Sequence, residues 1–596
     1  MNNMFPARDE NLGELPVWNL DDLYSGPDCD ALSVDFDRVT RDAAAFQAQY
    51  EGKVAELDGD GLGVAIAAYE QISEVLGRIH SYAGLRSAAD KNDVEIAKFH
   101  QTVAERANSI NTGLVFFTLE INRLDDDALV EMIESVPELA RFSPWLRDLR
   151  DFRPYQLSDD LERLLHEKQV VGSGAWNRLF DETMAGLEFT VDRKRLTSAE
   201  VFNLMSDPDG AVRKKAAKSI GKVLGRNVRL CALITNTLAK DKEIEDRWRG
   251  LPEPASSRHL ANQVEPEVVS ALVAAVKHAY PRLPHRYYAL KARWMGVAQL
   301  DYWDRNAPLP DEDDTTIPWQ GARDRVLAAY GAFSPELARI GQQFFDHPWI
   351  HAPVLAGKDS GAFAHPTVPS IHPYLLVNYQ GKVRDIMTLA HELGHGVHQV
   401  LASEQGLFLS DTPLTLAETA SVFGEMLTFK KLIADESDPS RRRVMIAAKV
   451  EDMINTVVRQ VAFYEFERRV HDARRDGELT PDQLGDIWMG IQKESLGPVF
   501  RYDKGYRNFW SYIPHFIHAP FYVYAYAFGD CLVNSLYGVY EDGSPGFEAK
   551  YLEMLRAGGT LRHKELLAPF GLDASDPEFW SRGLNVISGL IDQLEE

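Results

Sequence analysis

The sequence predicts a mostly α-helical fold with little sheet, on three observations. Apolar residues recur at three-to-four spacing over 61–81, 90–124 and 449–474, with charged residues between them. Runs that alternate apolar and polar residues, the mark of half-buried strands, are scarce. Gly and Pro stand at ordinary levels, which argues against a fibrous or disordered chain.

The two early periodic stretches read as amphipathic helices. The helical run ends around the polar segment Asp192 to Thr197, so a boundary is expected near residue 200, dividing the chain into 1–200 and 201–596. Residues 306–319, with Pro308, Pro310, four acidic residues and Pro318, read as an exposed loop. The strand candidate is Tyr374-Leu375-Leu376-Val377-Asn378-Tyr379, closed by Gln380-Gly381, which predicts a small hairpin or sheet. Such a strand either binds an extended peptide along its edge or is a structural hairpin. A helix is expected over 383–401, with Ile386, Leu389, Leu393, Val397, Val400 and Leu401 as its apolar face. A loop at 404–413 carries Gly406 and Pro413. One long helix then follows over 449–474, with Met453, Ile454, Val457, Val458, Val461, Phe463, Tyr464 and Phe466 as its stripe, and 541–547 is a turn. No repeat or low-complexity tract occurs.

With 596 residues, 45% of them hydrophobic, the chain has ample material for a core and for more than one folding unit. A formal net charge of −25 repels phosphate backbones and anionic lipid, which argues against nucleic acid and membrane surfaces as partners. The three cysteines, Cys29, Cys231 and Cys531, form no CxxC pair, so no disulfide framework is expected and a reducing cytoplasm fits. Met1 to Glu14 lacks the layout of a secretory signal. The most apolar stretch, Phe516 to Tyr540, contains His518, Pro520, Asp530 and Asn534, which suits a buried helix better than a membrane span.

The segment Leu389-Ala390-His391-Glu392-Leu393-Gly394-His395-Gly396-Val397-His398 points to chemistry. Residues four apart share a helix face, so His391 and His395 can present imidazoles to one zinc ion. Glu392, beside the first histidine, can take the proton of an activated water. With 17 histidines in the chain, the pattern arises by chance in roughly a few per cent of such sequences. Its helical context, free of Pro, favours function. Gly394 and Gly396 each cost about 1 kcal/mol relative to Ala in a helix, which is tolerated where a side chain would obstruct a close neighbour.

A third ligand is needed. The zinc class that places a histidine six residues after the second ligand is excluded, because Leu401 stands there and His398 takes the place of its Gly. Of the downstream carboxylates, Glu404 would need a tight reversal of the chain. Glu418 lies on a new helix among small and apolar neighbours, where a lone carboxylate is costly unless it is paired or bound to metal. Glu418 is favoured. Glu425, two turns on along the same face, is placed to orient a ligand histidine through a hydrogen bond. His398 is seven residues from His391, about 10.5 Å along the axis, too far to share the ion without strain, so a structural or substrate-side role is expected. Further on, His515, His518, Tyr522, Tyr524 and Tyr526 make the late apolar segment too polar for an ordinary core helix, although aromatics there are usually packing.

These residues together resemble the oligoendopeptidase F branch of the thimet oligopeptidase family of zinc metallopeptidases. The likeness begins at Trp18-Asn19-Leu20-Asp21-Asp22-Leu23-Tyr24. It runs through Ser360-Gly361-Ala362-Phe363, Pro373 to Tyr379, His391 to His398 and Leu416 to Ser421. It continues through His515-Phe516, Pro520 to Ala527 and Ala557-Gly558-Gly559, and ends at Gly571-Leu572-Asp573 and Asp576-Pro577. The resemblance implies two helical lobes around a deep substrate channel, with the small hairpin or sheet near the zinc helix and the catalytic domain in 201–596. It implies one zinc per chain on His391, His395 and Glu418, and Glu392 as base. It implies that Tyr526 or Tyr522 donates to the oxyanion, with His515 beside them. His518, Gly361, Phe363 and Tyr374 would contact the peptide. Ile517 departs from the pattern, standing where an aromatic hydroxyl is expected.

The expected function is therefore a cytoplasmic zinc endopeptidase acting on short unfolded peptides; the oligomeric state is not legible. Two rivals have sequence support. A metallocarboxypeptidase would need a basic residue to hold the free carboxylate, and Arg501, Lys504 and Arg507 precede the His/Tyr segment. A peptide-binding scaffold with structural zinc would leave Glu392 without a role, and such sites are usually closed by four protein ligands.

Overall fold

A computed structural model describes residues 11–309 and 316–596. The central part of the loop expected at 306–319 thus lies outside the described residues, as does most of Met1 to Glu14. Two compact units form, each drawn from three stretches of chain. The first takes the described residues of Met1–Pro154, Asp314–Asp435 and Gly543–Phe570, the second those of Tyr155–Asp313, Glu436–Asp542 and Gly571–Glu596. Residue 200 falls inside the second unit. The polar segment there turns a hairpin, pairing Phe189–Val191 with Lys194–Leu196 through Asp192 and Arg193, both at positive φ.

The first unit opens with the helices Asp30–Tyr50, Gly59–Ala89 and Val94–Ile121. Asp58 and Asp93 cap the latter two by accepting from the amides of Gly61 and of Glu95 and Ile96. Their apolar stripes meet in one core, where the Phe46 and Phe117 rings pack edge to face at 4.9 Å. A three-stranded sheet follows. Tyr374–Leu376 is its central strand, parallel to Ile350–His351 on one side and antiparallel to Phe363–His365 on the other. Both edges of Tyr374–Leu376 are paired, so the edge binding of peptide weighed for that strand is ruled out: its ladder groups are already used. The helices Val383–Ala402, Thr419–Asp435 and Phe547–Arg556 belong to the same unit.

The second unit is built on the 40-residue helix Gly210–Arg249, closed by Gly250 at φ +77°. The single helix expected over 449–474 is instead two, Pro439–Thr456 and Val458–Arg475, offset at Val457. The offset coincides with the β-branched run Thr456-Val457-Val458, whose side chains crowd the preceding turn. The apolar stretch before residue 540 forms the helix Tyr524–Glu541, in which buried Asn534 donates to Asp530 at 2.6 Å. No helix among the described residues is long and apolar enough to cross a membrane.

Candidate metal centre

The site is laid out by the helix Val383–Ala402. Asp385, in its first turn, accepts from the amides of Gln380 and Lys382 and satisfies donors the helix itself leaves free. Ile386, Leu389, Leu393, Val397 and Leu401 are buried as the periodicity requires, and Val400 is half-buried. Gly394 explains how Glu418 comes so near: a Cβ there would lie 2.5 Å from the Ala420 carbonyl oxygen and 2.7 Å from the Ser421 Cα. A Cβ on Gly396 would lie 2.7 Å from the Phe344 ring. Replacing Gly by Ala inside a helix normally gains up to about 1 kcal/mol. Here backbone stands in the way, so Gly394→Ala is expected to lose about 1–3 kcal/mol. Thermal unfolding measures this, and a melting temperature that does not fall would contradict the close approach.

Glu418 sits between the short helix Leu414–Ala417 and the helix Thr419–Asp435. Its Oε2 lies 3.3 Å from His391 Nε2 and 3.5 Å from His395 Nε2. A tetrahedron of ligands about 2.0–2.1 Å from a zinc ion has edges of about 3.3–3.4 Å, so the donor set and its spacing fit that ion. These three residues make up the one group of metal-binding character among the described residues. Glu404 is exposed on the turn Ser403–Gln405 and takes no part. His391 Nδ1 lies 3.1 Å from Glu425 Oε2, which fixes that nitrogen as the donor and leaves Nε2 facing Glu418. The hydroxyl of Ser421 donates to Glu418 Oε2 at 2.7 Å, a partner the sequence reading missed although it lies one turn along the helix.

The electrostatics favour positive charge at this point. Burial works against charge on both Glu418 and His391. It is outweighed at Glu418 by the hydrogen bond and charge of His391, then by His395 and Ser421, which bring the carboxyl down to about 2. Hydrogen bonds to Glu418 and Glu425 in turn hold the His391 imidazole well above its usual range. Burial lowers His395 to about 4. Glu392, 7% exposed, is raised to about 7, chiefly by burial, with an opposing pull from His391 and a hydrogen bond from the Ala364 amide. His398 is buried about two turns along the helix from His391 and hydrogen-bonds the Leu555 backbone; it is not one of the three clustered residues.

Of the expected peptide contacts in this unit, Tyr374 needs correction. Its ring is fully buried beside Trp18 and its hydroxyl donates to the Asn19 carbonyl at 2.9 Å, so it is a core residue. Phe363 is half-buried against the same core. Gly361 faces open space and its carbonyl accepts from Asn378.

The His/Tyr segment belongs to the second unit. His515 Nε2 lies 3.4 Å from the Tyr526 hydroxyl, and the Tyr522 ring lies 6.0 Å from His515 and 5.2 Å from Tyr526. Tyr524, by contrast, is core: its hydroxyl accepts from Asn262 at 2.8 Å and lies 3.0 Å from His259. His518 is engaged by Asp181 at 2.8 Å. Phe521 adopts φ +60°, and its amide donates to buried Glu467 at 2.8 Å, which sets the turn that presents Tyr522. Nothing in the sequence around Glu467 signals that role.

The family model for "Peptidase family M3" matches residues 338–586, and that for "Oligopeptidase F" matches residues 120–189. The chain belongs to peptidase family M3, in its oligoendopeptidase F branch. Oligopeptidase PepF of Bacillus subtilis is 27% identical over all of this chain and 89% of its own length. An oligoendopeptidase F homolog of Lactococcus lactis is 24% identical over 88% of each. The crystal structure of oligoendopeptidase-F from Enterococcus faecium shares the fold, with a TM-score of 0.72 at 21% identity over 95% of this chain and 99% of that one. As an M3 peptidase the protein is a metalloendopeptidase that acts on oligopeptides.

Proposed function

We propose that this M3 peptidase hydrolyses internal bonds of short unfolded peptides, with one zinc per chain on His391, His395 and Glu418 and Glu392 as general base. The observation that carries the reading is the convergence of three ligand atoms, with His391 Nε2 and His395 Nε2 at 3.3 and 3.5 Å from one Glu418 oxygen. A group of three protein ligands, rather than four, suits a catalytic site and speaks against a structural one. When bound, zinc polarises the scissile carbonyl and makes a nearby water more acidic. Glu392 then takes a proton from the attacking water and passes it to the leaving amine, a task suited to a carboxyl whose pKa burial brings near 7. Tyr526, or Tyr522 beside it, donates to the developing oxyanion. The three free cysteines agree with a cytoplasmic location.

Metal analysis of the purified protein, with cleavage of a ten-residue peptide and of a folded protein measured side by side, tests the reading. One zinc per chain is expected. Peptide cleavage should stop on chelation and return with zinc, and the folded protein should resist. Full activity after exhaustive chelation would refute the zinc assignment, and equal cleavage of both substrates would refute the restriction to short peptides.

A further inference from the structure

A cavity of about 210 Å³ within the second unit carries two guanidinium groups, Arg305 and Arg459, and no acidic side chain among the described residues. The carboxylate whose charge reaches Arg305 is Glu451, and it is already paired with Lys291 at 2.8 Å. Arg459 lies over the Phe463 ring, 4.9 Å from its centroid, and its charge and that of Arg305 act on each other. Two neighbouring cations with no counter-ion among the described residues are costly in a partly buried place, unless an anion joins them. Two buried donors on residues lining the cavity also lack acceptors, Arg459 Nε and Nε1 of Trp488, which is 2% exposed. A fully satisfied site would need an acceptor there.

We propose that Arg305 and Arg459 bind the C-terminal carboxylate of the peptide substrate, whose last side chain packs against Trp303, Trp488 and Tyr512. This deepens the peptidase reading by naming the substrate class: peptides with a free C-terminus, preferably apolar or aromatic at the last residue. The volume supports a chain end over a separate ligand, because whole-ligand pockets span roughly 300–1,000 Å³. A carboxylate matches the fork geometry of guanidinium groups, and the aromatic wall suits an apolar residue behind it. The cavity also neighbours the His/Tyr cluster: burial, then the charges of Arg459 and His518, depress the His515 imidazole. The basic residues weighed on sequence grounds are otherwise engaged or exposed. Arg501 pairs with Asp301 at 2.9 Å, Arg507 with Asp486 at 2.8 Å, and Lys504 points to solvent.

The test compares one ten-residue peptide ending in Phe as free acid and as C-terminal amide, with the full-length zinc enzyme. The amide should show a KM roughly tenfold to a hundredfold higher, the usual weight of a hydrogen-bonded charge, with a smaller change in kcat. In Arg305→Gln and Arg459→Gln the ratio should fall towards one. The same two peptides are titrated against Glu392→Gln by calorimetry, which reads affinity without turnover. If the acid binds tighter there but neither peptide is cut by the wild type, the peptidase reading fails and the site stands. If both are cut with equal KM, and bind equally, the site is refuted. Because that comparison uses the wild type, it decides even if an arginine variant misfolds. Folded variants that keep the full preference would equally overturn the assignment, as would inorganic phosphate competing at the concentrations at which the peptide acid binds, which would mark an inorganic-anion site.

Discussion

Glu392→Gln is expected to lower kcat by at least about 10²-fold while the protein keeps its zinc. The glutamine preserves shape in a position only 7% exposed, and its carbonyl oxygen can still accept from the Ala364 amide. What it loses is the capacity to take up a proton. Glu392 is not one of the three clustered ligand residues, so metal content should be unchanged. KM should move little, because the base acts on the attacking water and not on the bound peptide. Zinc content, peptide cleavage at one pH and far-UV circular dichroism together check this. Cleavage within tenfold of the wild type, with zinc bound, would remove Glu392 from the proton transfer.

The sequence exposes the helical parts of this arrangement and hides the rest for identifiable reasons. The histidine pair, its base and the buried face of Val383–Ala402 follow from a period of 3.6 residues, and local spacing is what a sequence records directly. The need for glycine at 394 was also legible as a cost without a local return, and the backbone of Ala420 and Ser421 supplies the reason. The break at Val457 was not legible, because apolar periodicity runs straight through an offset that keeps the same side buried. Tyr374 misled because a tyrosine in a strand looks the same whether its partners are solvent or the core; only the pairing order, with Tyr374–Leu376 in the centre, decides. Arg305 and Arg459 are 154 positions apart and Glu467 and Phe521 are 54 apart. Their association is a product of tertiary packing with no signature in either neighbourhood, whereas Arg501 and Arg507 attracted attention by proximity to the His/Tyr segment and proved to be paired elsewhere.

Glu418→Ala and His398→Ala should separate metal binding from stability. Glu418 offers one oxygen to both histidines and is held anionic by His391 and Ser421. Its loss removes a ligand and the charge that balances the ion. Since even outer partners of a metal ligand are worth 10–100-fold in affinity, the ligand itself should cost at least about 100-fold, with activity falling in step. The fold should lose less than the metal site does, because the side chain is 24% exposed and its partners, His391 and Ser421, belong to the site itself. His398 is the reverse case. It is 7% exposed and bonds the Leu555 backbone, so truncation leaves a gap in a packed place and removes that hydrogen bond, while the Leu555 carbonyl keeps the Gly558 amide; the cost should be about 1–3 kcal/mol. Zinc should nevertheless stay, since the rise of the helix carries His398 about 10.5 Å along the axis from His391. Zinc titration and thermal unfolding of both variants read the two effects independently. If His398→Ala loses its zinc while Glu418→Ala retains it, the ligands must all come from the one helix, and the assignment of Glu418 is wrong.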